Sequence, residues 1–204
     1  MKTRHSNQLI RQIGEHLVVS KLGRLGILAT PFAGNVPDFD VLASDLSGHC
    51  LPLQVKAING GSWQFDARKF LNIEFYDKDK NVVCRPEQVV EYQKVKGKKT
   101  LSNPHLICVF VLLKPDERDD FYIFRLSALQ DYCHKGYGKD SKGKRDPGGL
   151  IVRTRNRKST HGAITPREWE QYRVQNEKDW SLIKKHFSPV TKDEDSEIDT
   201  GDEE

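Results

Sequence analysis

The chain has 204 residues, 36% hydrophobic and 30% charged, which suits one medium domain with or without appendages and leaves no room for two full ones. Its mean hydropathy is -0.66. No apolar run approaches the roughly 20 residues of a spanning helix, which argues against a membrane protein. The net charge of +4, from 33 basic and 29 acidic residues, hides a split, because 192–204 hold eight acids and one lysine and the rest of the chain carries +11. The expected organisation is a single domain over 1–188 with a basic excursion at 136–160, then a disordered acidic tail at 189–204. The opening MKTRHSNQL has no apolar core of a secretory signal, so the expected location is the cytoplasm. Cys50, Cys84, Cys108 and Cys133 show no CxxC spacing and read as reduced thiols.

In chain order, Asn7 to Leu25 is predicted as a helix, with Leu9, Ile10, Ile13, Leu17 and Leu22 at helical spacing and Gly26 as its stop. Gly14 interrupts it, and a close packing neighbour would explain that glycine; Glu15 falls at the border of the apolar stripe. Ile27 to Phe32 is a predicted strand, Ala33 to Pro37 a turn, and Phe39 to Ala43 a strand with Asp40 inside it. After a turn at Asp45 and Gly48, Leu51 to Ala57 alternates, so that Gln54 and Lys56 share one face. If the two strands form a hairpin, Asp40 reaches that face too. Further sheet is expected around Trp63 to Tyr76, an edge strand at Val82 to Arg85 and a short helix from Pro86 to Tyr92. Lys94 to Asn103 is expected to be a basic loop. Leu106 to Leu113 reads as a strand buried on both faces and Phe121 to Leu126 as another, with a helix beginning at Ser127. The glycine-rich excursion holds one expected strand, Leu150 to Arg153. Thr165 to Glu168 is a capping box opening a helix to about His186, packed through Trp169, Tyr172, Trp180, Ile183 and Phe187, with a break near Asn176. The order predicts an α/β core with a mixed sheet flanked by helices.

No GxGxxG, GxxxxGK or HExxH motif is present, and His49, His105, His134 and His161 lack ligand spacing. The chemistry-bearing stretch is Pro37-Asp38-Phe39-Asp40 followed by Gln54-Val55-Lys56. An acid on one strand beside an amide and an ammonium on the next suits phosphodiester hydrolysis. That reaction needs a hard cation to polarise the phosphate and acidify water, and a positive group near the developing charge. By pattern alone, Lys56 reads equally well as a solvent-facing residue of a half-exposed sheet.

These residues, from Gly14-Glu15 with LVVSKLGRLG behind them through PDFDVLA to Gln54-Val55-Lys56 and Trp63-Gln64-Phe65, resemble the PD-(D/E)xK nuclease superfamily. That superfamily has the restriction endonuclease-like fold shared with archaeal Holliday-junction resolvases. The likeness is good over residues 7–65 and looser through Leu106 to Leu126 and the tryptophan-containing C-terminal segment. It implies a metal-dependent DNA endonuclease using Mg²⁺ or Mn²⁺. The implied ligands are Asp40, Glu15, Gln54 and the Val55 carbonyl, and Lys56 orients or helps deprotonate the attacking water. Two positions stand apart from the pattern. Gln54 replaces the family's acid and offers an oxygen without charge, and Asp38 is a candidate second ligand two residues from Asp40.

Lys139, Lys142, Lys144, Arg145, Arg153, Arg155, Arg157 and Lys158 are expected to contact DNA phosphates, which confers affinity with little base discrimination. A homodimer would suit cutting of both strands. Two other classes remain open: a non-catalytic nucleic-acid-binding protein on a nuclease-like fold, and a protein-interaction subunit of a defence system.

Overall fold

The computed structural model describes residues 6–32, 39–83, 90, 92–116, 118–136, 150–151 and 160–187. The expected DNA contacts at Lys139, Lys142, Lys144, Arg145, Arg153, Arg155, Arg157 and Lys158 lie outside the described residues, as do Asp38, Cys84 and the acidic tail.

Helix α1 (Asn7–Arg24) opens with Ser6, whose Oγ accepts the Leu9 amide at 3.2 Å. Beyond its C-cap lies Gly26, at φ 77°. Ile10, Gly14, Glu15, Val18 and Leu22 form its buried side. Gly14 has a steric reason: a Cβ there would stand 2.4 Å from the Cβ of Ala57. Only glycine lets the helix lie this close to the sheet.

The central sheet has five strands in the order β1-β2-β3-β7-β8. Strands β1 (Leu28–Pro31), β2 (Val41–Ser44) and β3 (Cys50–Ile58) run antiparallel, while β3 pairs in parallel with β7 (Ile107–Leu112), whose other neighbour β8 (Asp120–Arg125) is antiparallel. The sheet is therefore mixed and carries apolar layers on both faces. On one, Val41, Leu53, Val55 and Val109 meet Val18 and Leu22 of α1 and Trp180 and Ile183 near the C-terminus. On the other, Cys108, Phe110, Tyr122 and Phe124 meet Trp63, Phe70, Leu129 and Trp169. The near-continuous apolar run of β7 follows from this two-sided burial.

The parallel step from β3 to β7 needs a crossover, and the chain fills it with small sheets. Strand β4 (Trp63–Asp66), β5 (Leu71–Tyr76) and β6 (Tyr92–Lys98) lie between them in sequence. The pairing of β5 with β6 corrects the loop expected at Lys94 to Asn103. The lysine run hid an alternation: Gln93 and Val95 point inward, while Lys96 pairs with Glu74 at 3.2 Å and Lys98 with Asp131 at 2.5 Å. Tyr92 begins this strand, so the helix expected from Pro86 does not include it; residues 84–89 and 91 lie outside the description. Val82 forms an isolated bridge to Tyr76 where an edge strand was expected. Helix α2 (Leu126–Gly136) follows β8 and is tied down by Gln130, whose Nε2 donates to the carbonyls of Phe70 and Lys99. A two-residue strand, β9 (Leu150–Ile151), pairs with β6, and β10 (His161–Ile164) pairs with β4. Sequence patterning misses β10 because HGAI has no alternation to read.

The long C-terminal helix is also corrected. The capping box at Thr165 and Glu168 is present, but it opens a 3-10 segment ending at Tyr172. Arg173 then bridges to Tyr122, Asn176 caps a second 3-10 turn, and helix α3 covers Ser181–Phe187. The two tryptophans explain the breaks. Trp169 packs in the second apolar layer and Trp180 in the first, so this segment must pass around the sheet edge at β8. One straight helix cannot reach both faces. No described helix is long and apolar enough to cross a membrane.

Candidate active site

Asp40 lies in a bend just before β2, one residue outside the strand expected to contain it. Its backbone is nonetheless pinned: the Asp40 amide donates to the Leu53 carbonyl and its own carbonyl accepts from the Phe32 amide, both at 2.9 Å. The register Val41↔Leu53 sets Asp40 beside Gln54. Its carboxylate reaches the next residues of β3. Oδ2 accepts the Val55 amide at 2.9 Å and a hydrogen bond from Gln54 Nε2, and Oδ1 accepts from Arg11 Nη2 at 2.9 Å. Arg11 also donates through Nε to Glu15 Oε1 at 2.7 Å, one helical turn on. Two acids from distant parts of the chain thus share one guanidinium. Both carboxylate side chains are 8% exposed, and the Arg11 side chain is 48% exposed.

Lys56 projects from the same face of β3 as Gln54, as the period of two requires. Its Nζ donates to the Gln64 carbonyl at 3.3 Å. Burial lowers the affinity of this amine for its proton below that of an ordinary lysine, and the nearby charge of Lys69 lowers it further. Cys108, opposite Gln54 on β7, has its thiol pushed up to about 12 by burial and takes no part as a thiolate.

Asp40, Gln54, Val55 and Lys56 line one groove of about 290 Å³, together with Arg11 and Trp63. Glu15 joins them through Arg11. Two larger depressions, about 460 Å³ along α1 and about 410 Å³ beside Leu51 and His186, have no carboxylate in their walls. Size therefore does not mark the chemistry here; the convergence of opposite charges does. Arg11 is absent from the sequence reasoning. Its signal was available as the Arg11–Glu15 spacing of four on the first helix, yet nothing in one sequence says that Asp40 arrives at the same guanidinium.

The donor set suits a hard cation. Two buried carboxylates, the Gln54 amide oxygen and the Val55 carbonyl, on the same strand edge as the amide that Asp40 accepts, are all oxygen donors. Among the described residues no group of three or more His, Cys, Asp or Glu side chains gathers to hold a metal. A magnesium-type ion keeps several waters and is commonly held by one or two carboxylates.

No family model and no curated protein matches the chain. Among solved structures it is similar to a bacterial homing endonuclease, I-Ssp6803I, at 19% sequence identity and a TM-score of 0.38, over 88% of this chain and 93% of that one.

Proposed function

We propose that this protein is a metal-dependent endonuclease of the PD-(D/E)xK type that hydrolyses phosphodiester bonds in DNA. The observation that supports this most is the convergence of the Asp40 carboxylate, the Gln54 amide and the Lys56 ammonium in one groove beside β3, with Glu15 a guanidinium away. Asp40 and Glu15 would hold Mg²⁺ or Mn²⁺, with the Gln54 and Val55 oxygens as further donors. Bound there, the ion would supply Lewis acidity to the phosphate and acidify the attacking water.

The chain's own residues do the rest. Lys56 sits at the wall of the groove with its proton affinity lowered, so a larger share of its amine is neutral than in a surface lysine and can orient the water and take its proton. In its protonated form the same group steadies the charge gathering on phosphorus oxygens. The water oxygen bonds to phosphorus, one P–O ester bond breaks, and the departing oxygen takes up a proton. The basic residues from Lys139 to Lys158 would bind the backbone and set a steep salt dependence.

Gln54 favours a second reading, a nucleic-acid-binding protein without catalysis, because it brings no charge to the metal. Incubation of supercoiled and linear DNA with Mg²⁺ or Mn²⁺ separates the two. The endonuclease reading expects nicking or cutting by the wild-type chain, abolished in Asp40→Ala and Lys56→Ala while DNA binding persists. Binding without cleavage under both metals would favour the second reading. Undiminished cleavage by both variants would remove Asp40 and Lys56 from the site.

A further inference from the structure

Among the described residues, Arg11 is the one cation that touches both buried carboxylates, Glu15 at 2.7 Å and Asp40 at 2.9 Å. The two sides of this contact are held very differently. Asp40 is fixed by the Val55 amide and by Gln54, and Glu15 by a helix seated on Ala57 through Gly14. Arg11 comes to them from the solvent side, its side chain 48% exposed. Its planar fork places one positive charge between two acids that would otherwise repel. Those are the same oxygens a divalent cation would take. Two positive centres cannot share them at contact distance without strong repulsion.

We propose that Arg11 is a displaceable internal cation: it neutralises Glu15 and Asp40 in the metal-free protein and must release both before a divalent ion can bind. The inference rests on the metal-dependent reading above and assigns to Arg11 a role of its own. Cation uptake is then an exchange, and the departing guanidinium sets how much metal the protein needs. Lys56 and Gln54 stay in place during the exchange, since their contacts are with the Gln64 carbonyl and with Asp40 Oδ2 rather than with Arg11. An arginine serving only to align the acids would act in the opposite sense, because its loss would loosen them and weaken cation binding.

Calorimetric titration of Mn²⁺ into the full chain, without DNA, tests this with wild type, Arg11→Gln, Arg11→Lys and Asp40→Ala. Arg11→Gln should bind Mn²⁺ about tenfold more tightly or better, which corresponds to 1.4 kcal/mol. Its metal-free Tm should fall, and the rise in Tm on adding Mn²⁺ should exceed that of wild type. Arg11→Lys should lie between, since one ammonium cannot bridge both acids as a fork does. In the wild-type chain, the Arg11 side-chain Nε–H signal should move during a Mg²⁺ titration with the midpoint of binding. That second arm decides the matter if Arg11→Gln does not fold. Equal or weaker Mn²⁺ binding by Arg11→Gln, with wild-type binding that Asp40→Ala abolishes, overturns this proposal alone. So does an Arg11 Nε–H signal that stays fixed as Mg²⁺ saturates the protein. If neither wild type nor Arg11→Gln takes up either ion, the metal-dependent reading falls and this proposal with it.

Discussion

Asp66 and Asp40 each bind an arginine, and the two pairings sit at opposite extremes of design. Asp66 meets Arg68 two residues away, Nη2 to Oδ2 at 2.7 Å, and accepts the Arg68 amide at 3.0 Å and the Thr160 hydroxyl at 2.6 Å. It caps the 3-10 turn after β4 and ties that turn to the approach to β10. Its ion-pair partner is two residues away, and Arg68 lies largely in solvent. Asp40 meets Arg11 across 29 positions of sequence and shares it with a second buried acid, beside a half-buried lysine in a groove. The first arrangement closes a turn. The second sets one half-exposed guanidinium between two buried acids, the arrangement from which the displacement of Arg11 by a cation is proposed.

Four substitutions test the difference between the two pairings. Asp40→Ala should abolish cleavage, on the order of 10³-fold or more, because the cation loses its central oxygen donor. Asp66→Ala should leave the cleavage rate essentially unchanged in the same assay. Lys56→Ala should cost on the order of 10²-fold to 10³-fold in kcat with DNA affinity little altered, as for the loss of one group that stabilises transition-state charge. Gly14→Ala should destabilise the fold by about 1–2 kcal/mol in denaturant titration, since overpacking against Ala57 outweighs the gain in helix propensity. That variant should also disturb cation binding, because Gly14 seats the turn that carries Glu15.

The smallest effect concerns acid. Hydrogen bonding to Arg68, and secondarily to Thr160, holds the Asp66 carboxyl well below the usual carboxylate range despite partial burial. A carboxyl whose folded-state pKa is depressed adds stability above its unfolded value of about 4, and that stability is lost as pH falls toward the folded value. Asp66→Ala should therefore lower stability by about 1 kcal/mol at neutral pH and flatten its decline below about pH 4. A Tm series from pH 7 to pH 2 measures both. A variant whose decline matches wild type would remove Asp66 from the acid response.

How much of this was legible in sequence follows from the range of each interaction. Gln54 and Lys56 were readable as a pair because strand alternation is local, and Asp40 followed from the hairpin that sets Val41 opposite Leu53. Arg11 was not, because its second partner is brought by tertiary contact alone. Strand β6 was hidden by its lysines, whose ion pairs to Glu74 and Asp131 exist only once β5 and α2 are in place. The C-terminal segment shows the reverse error. Its aromatic spacing fits a helix, but Trp169 and Trp180 belong to opposite faces of the sheet, and that demand overrides the local pattern. Glu15 was placed at the border of an apolar stripe and is buried; periodicity alone gave no reason for an acid there.

The most direct measurement is a crystal soaked in Mn²⁺ and read by anomalous scattering, for the wild-type chain and for Asp40→Ala. One peak is expected in the groove, about 2 Å from an Asp40 oxygen, with Arg11 turned away from both acids, and no peak in the variant. A saturated crystal with Arg11 still bridging Glu15 and Asp40 and no cation beside them would contradict this expectation.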